Sequence, residues 1–115
     1  MTRDEQIDIV IDKKEPDEKT VPWKLQRPYP DLARQIAARK GDVAKVESGW
    51  EIKGEREIPS WLLSVIRPVG NNLYHYTKIY PTKEFKGATT AHMFMDEANK
   101  YFAQMEIEEF KPTTH

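Results

Sequence analysis

The chain has 115 residues, no cysteine, and 32% charged against 38% hydrophobic residues. That length suits a single domain, the missing cysteines exclude a disulfide framework and thiolate chemistry, and no apolar run nears the ~20 residues of a membrane-spanning helix. The net charge of −1 hides a segregation, with balances of −3 over residues 1–20, +4 over 21–103 and −2 over 104–115.

The organisation expected from this is an acidic flexible arm over 1–20, one α+β domain over 21–105 and an acidic tail over 106–115. Within the arm, Ile7 to Asp12 is a short β-prone run with acidic flanks, read as free or loosely attached rather than docked. Lys13 to Thr20 is charged, contains Pro16 and carries no hydrophobic residue, which is linker composition. The start has no basic stretch leading into an apolar one, so no secretory signal is expected and an intracellular, cytoplasmic setting is.

Pro22, Pro28 and Pro30 make the next segment extended, with Trp23, Leu25 and Tyr29 laid across the body to cover a core edge. A helix follows. Pro30 suits a first helical position, Asp31 complements the positive end of the dipole, and Leu32, Ala33, Ile36 and Ala37 form a narrow apolar stripe. Arg39 and Lys40 sit near its expected end, with Gly41 as a left-handed cap. Asp42 to Gly54 is ambiguous between one more helical turn and a strand with Trp50 and Ile52 on one face.

Trp61 to Arg67 and Leu73 to Tyr80 read as two strands around the turn residues Gly70-Asn71-Asn72, a hairpin closed by Pro81. A second helix, capped by Thr89 or Thr90, places Ala91, Phe94, Met95, Ala98, Tyr101, Phe102 and Met105 on one face. The fold class expected is α+β: a small antiparallel sheet of three to four strands with two helices packed on one face, in the order α-β-β-β-α, with a possible extra N-terminal strand. The sheet face away from the helices is then exposed or partly covered by the Trp23 segment.

The return strand alternates Tyr74, Tyr76, Lys78 and Tyr80 with Leu73, His75, Thr77 and Ile79. If Leu73 and Ile79 face the helices, three tyrosines and a lysine line the open face, with Arg67 as a second cation from the partner strand. Such a face can stack bases and neutralise phosphate, anchor a protein partner, or simply cover the sheet. Lys83 and Lys86, ahead of the second helix, place cations beside free backbone N–H groups, where an anion can sit. The bland reading is a solvated loop.

Other chemistry is thinly supplied. His75, His92 and His115 share no metal-ligand spacing, the five glycines are scattered singly, and Ser48, Ser60 and Ser64 lie outside any nucleophile-elbow pattern. The expectation is a non-enzyme without metal or cofactor.

The helix-strand-strand-strand-helix order is similar to that of double-stranded-RNA-binding domains. Here the second helix opens Thr89-Thr90-Ala91-His92 rather than with a lysine cluster, and the similarity stops at element order. The sequence reading is therefore a small non-enzymatic binding or regulatory domain acting on another protein. The alternative is a nucleic-acid binder using the tyrosine face. The tentative contacts are Tyr74, Tyr76, Lys78, Tyr80, Arg67, Trp23, Lys83 and Lys86.

Overall fold

The computed structural model of the protein describes the backbone of residues 7–12 and the whole of residues 22–110. Its elements, in chain order, are β1 (Ile7–Asp12), β2 (Trp23–Pro28), α1 (Pro30–Ile36), β3 (Val43–Lys53), β4 (Arg56–Val69), β5 (Asn72–Pro81), a single 3-10 turn (Thr82–Glu84) and α2 (Ala88–Glu109). The strands form one antiparallel sheet in the order β1-β5-β4-β3-β2. The α+β class with two helices on one antiparallel sheet stands as read. The possible extra N-terminal strand forms, as β1, and the Trp23 segment adds β2 at the other edge, so the sheet has five strands.

β3, β4 and β5 are joined by two-residue turns. Lys53 pairs with Arg56 across the first and Val69 with Asn72 across the second. Gly54 and Gly70 supply the positive φ such tight turns need, at 63° each. Within Asp42 to Gly54, ambiguous in sequence, Val43–Lys53 is the long strand β3. The run Ile7 to Asp12 is not free: it pairs along β5, with Ile9 opposite Tyr76 and Asp12 opposite Leu73. The rest of the expected arm, residues 1–6 and 13–20, lies outside the described residues.

Register decides which side chains share a face. Trp61 pairs with Tyr80, Leu63 with Lys78, Val65 with Tyr76 and Arg67 with Tyr74. Both helices cover that face: Leu63, Val65, Tyr74 and Tyr76 form one buried cluster with Ala33 and Ile36 of α1 and with Phe94, Ala98 and Phe102 of α2. The second face carries Leu62, Ser64, Thr77 and Ile79, all buried, with Ile66, Leu73 and His75 half-buried. Trp23 covers part of it. Its indole N–H donates to Glu47 at 3.0 Å, and its ring lies over Gly49 so closely that a Cβ there would sit 2.9 Å away.

Both helices differ from expectation at an end. α1 stops at Ile36, and Gly41, with φ 96°, serves the turn after it rather than a helix cap. α2 starts one turn early, with Gly87 and not Thr89 or Thr90 at the cap position. The Thr90 hydroxyl instead accepts the Lys86 backbone N–H at 2.7 Å. α2 also runs on to Glu109, so residues 106–109 of the expected tail are helical. Residues 111–115 lie outside the described residues.

Candidate functional site

The strand face singled out in the sequence is turned inward. Tyr74, Tyr76 and Tyr80 point under α2 and are 4%, 4% and 9% exposed, so they cannot serve as an open stacking surface. Their rings complete the core. Tyr76 lies 5.5 Å from Phe94, 5.4 Å from Tyr101 and 6.5 Å from Phe102, centroid to centroid. Three aromatic rings bury more apolar area than one leucine and one isoleucine, and α2 packs on whichever face offers more.

The hydroxyls then need partners. Tyr74 donates to the carboxylate of Glu109, which also accepts from Asn72 Nδ2, and Tyr76 donates to Glu97 at 3.5 Å. These phenols resist ionisation. The hydrogen bond to Glu109 raises Tyr74 above its ordinary value, and burial pushes Tyr76 and Tyr101 up to about 12. Burial also raises Tyr80.

Neither cation assigned to that face is free. Arg67 is 3% exposed and forms a bidentate pair with Asp42, Nε to Oδ1 and a terminal nitrogen to Oδ2, both at 2.9 Å. Its guanidinium also lies 4.6 Å above the Phe102 ring. Asp42 accepts a further hydrogen bond from the Arg39 backbone N–H at 3.0 Å, so one buried carboxylate ties the α1–β3 loop to β4. Lys78 binds Glu97 at 3.0 Å and sits 5.0 Å from the Tyr80 ring centroid. Both act as struts beneath α2.

On the opposite face, Ser64 Oγ and Thr77 Oγ1 lie 2.6 Å and 2.7 Å from His75 Nε2. A serine beside a histidine invites a catalytic reading. Yet Ser64 is 4% exposed in mid-strand, where neighbouring backbone N–H groups serve the sheet ladder rather than an oxyanion. The trio satisfies polar groups in the middle of a sheet. Among the described residues, no three His, Asp or Glu side chains converge as a metal site, and no helix is long and apolar enough to cross a membrane.

A different constellation remains accessible, and only its rim was visible in the sequence. At one end of the helix-covered face, side chains from three segments form a ladder. The Arg27 guanidinium lies 4.9 Å from the Tyr29 ring centroid, and Tyr29 lies 4.5 Å from Trp61. Trp61 stacks on Phe85 at 4.2 Å with 11° between the planes, and Phe85 lies 6.4 Å from Tyr80.

Local structure explains the assembly. Pro28 and Pro30 bracket Tyr29, whose backbone N–H donates to the Val46 carbonyl at 2.8 Å and holds the ring over the sheet. Pro81 ends β5. The 3-10 turn behind it, closed by Phe85 N–H to the Thr82 carbonyl at 3.2 Å, folds Phe85 back onto Trp61. Tyr29, Trp61 and Phe85 stay half-buried, while Arg27, Lys83 and Lys86 are exposed. Among the described residues these three cations make no ion pair.

Of the residues chosen from sequence, Lys83 and Lys86 are exposed and flank Phe85 in the chain, and Tyr80 is buried beside that ring. Trp23 stands on the other face, and Tyr74, Tyr76, Lys78 and Arg67 belong to the interior. No family model matches the chain, and neither a curated protein nor a solved structure matches it.

Proposed function

We propose that the protein is a small non-enzymatic binding module that engages another protein through the Arg27–Tyr29–Trp61–Phe85 ladder. The observation that carries this reading is the ladder's composition and exposure: half-buried Tyr, Trp and Phe rings in register, edged by exposed cations. Aromatics and arginine are the side chains that concentrate binding energy at protein interfaces. They are also held in place beforehand, so little side-chain entropy is lost when a partner docks. The lack of cysteine suits work inside the cell.

The test compares affinity capture by the native protein with capture by Trp61→Ala and by Arg27→Glu, each shown to be folded by circular dichroism. Proteins retained by the native chain and lost with both variants support the reading. An unchanged set of captured proteins sinks it.

A second reading has one observation in its favour. Unpaired cations beside stacked rings also suit single-stranded nucleic acid, and residues 21–103 carry a balance of +4. Its mark is oligonucleotide binding that weakens steeply with salt and disappears in Trp61→Ala.

A further inference from the structure

β2 forms one edge of the sheet, and among the described residues nothing pairs with its outer side. Lys24 to Pro28 are all exposed. The free backbone groups follow from the register. Ile52 N–H donates to the Pro22 carbonyl at 3.0 Å, and Lys24 stands opposite Trp50, so the backbone of Pro22 and Lys24 turns toward β3. Alternation then turns the N–H and C=O groups of Trp23 and Leu25 outward. The register shift after Leu25 and the missing N–H of Pro28 end this open stretch. It is long enough to take one short extended segment by strand addition.

Charge selects the segment. β2 carries Lys24 and Arg27 and no acidic residue. Lys24 is opposite Trp50 and Arg27 is opposite Ser48, which is itself opposite Trp61, so both cations stand on the face that carries the ladder. Lys24 lies 5.3 Å from the Trp50 ring centroid and 3.7 Å from Glu57, with both charged side chains largely in solvent. Such an exposed pair is weak and gives way to a better placed carboxylate. Arg27 has no ion pair among the described residues. Opposite charges across neighbouring strands stabilise pairing and like charges oppose it. A second copy is therefore the wrong occupant, since pairing β2 with β2 brings four cations together. We propose that β2 accepts an extended acidic segment of a partner protein, whose backbone bonds to Trp23 and Leu25 and whose carboxylates meet Lys24 and Arg27. Arg27 is also the first rung of the ladder. The proposal thus rests on the reading of that surface as a protein-docking site, and adds the partner's chemistry and its line of approach.

The experiment is an amide NMR titration of the isotopically labelled full chain with a blocked peptide of about eight residues in which Glu and Val alternate. Amide exchange at Trp23 and Leu25 is expected to slow by about tenfold at saturation. Kd is expected to rise by about tenfold from low to half-molar salt, and by at least about tenfold in Lys24→Glu/Arg27→Glu. A peptide with Lys in place of Glu, and the Glu/Val peptide N-methylated throughout, are expected not to bind. No binding at near-millimolar peptide, equal binding of either control peptide, or unchanged exchange at Trp23 and Leu25 each overturns the proposal. Shifts confined to Trp61 and Phe85 overturn it as well, while leaving the ladder reading in place. Slowed exchange at Trp23 and Leu25 combined with unchanged protein capture by Trp61→Ala retains strand addition and removes the ladder. If the charge-reversed variant does not fold, the control peptides decide on the native chain.

Discussion

Removing one partner of the Arg67–Asp42 pair should cost more than any other single change to a polar side chain in the described domain. Both side chains are essentially out of solvent, at 3% and 0% exposure, and two hydrogen bonds at 2.9 Å join them. Two unit charges about 4 Å apart attract by roughly 4 kcal/mol at the effective dielectric that describes such sites. Loss of one partner from a buried pair typically costs about 3–5 kcal/mol, because the survivor stays uncompensated. Arg67→Met keeps an apolar stem against Phe102 and leaves the Asp42 carboxylate with the Arg39 N–H. Asp42→Asn leaves the guanidinium buried without a counter-charge. Each should lower the melting temperature by on the order of 15–30 °C for a domain of this size, against a total stability of about 5–15 kcal/mol. The double variant Asp42→Asn/Arg67→Met should recover most of the loss, since buried pairs are often neutral when replaced together. Urea unfolding of all four proteins gives the coupling energy. Single changes costing under about 1 kcal/mol, or a double variant as costly as the two singles added, would refute the assignment of this pair as a buried anchor.

Gly49→Ala should peel β2 from the sheet, because the new Cβ would overlap the Lys24 carbonyl oxygen and press on the Trp23 ring. Hydrogen exchange should show lost protection across Trp23–Pro28, with α2 unaffected. Glu109→Ala should leave Tyr74 and Asn72 without their acceptor and cost about 1–3 kcal/mol, read as faster exchange in the last turn of α2. Stability should also fall in alkali. Tyr76 ionises near 12 when folded against an ordinary 10.0, so its contribution is complete below pH 10 and is lost as pH rises toward 12, by about 2–3 kcal/mol. Tyr76→Phe should flatten that decline in urea midpoints, and an unchanged slope would count against burial of the phenol.

The elements were largely legible in the sequence, and their ends were not. Gly70-Asn71 flanked by apolar runs specifies a hairpin locally, and the spacing from Ala91 to Met105 specifies a helix face, so both features were readable without tertiary information. The strand from Val43 was obscured because Asp42 resembles a helix cap. Its carboxylate instead serves Arg67, a partner on β4 that no local pattern reveals. The docking of Ile7–Asp12 was hidden for the same reason: its pairing partner, β5, lies more than sixty residues away in the chain, and three strands across the sheet from β2. The ladder escaped notice because Arg27 and Tyr29, Trp61, and Phe85 come from three separate segments. Each residue alone reads as ordinary core or loop.

The inverted strand face has a more instructive cause. Taken alone, β5 offers tyrosines on one side and Leu73 and Ile79 on the other, and residue polarity favours the aliphatic side as the core. The two-residue turn removes the ambiguity. With Val69 opposite Asn72, every odd position of β4 pairs with an even position of β5. The tyrosine face therefore also carries Trp61, Leu63, Val65 and Val69, whereas the Leu73 face carries Ser64, Pro68, His75 and Thr77 among its aliphatics. Summed over both strands, the tyrosine face has the larger apolar area, and burying it against α2 releases more water-exposed surface. It follows that a strand bounded by a short hairpin turn should be assigned its core face jointly with its partner. On that basis Arg67 is an interior residue that must find an anion. It finds Asp42.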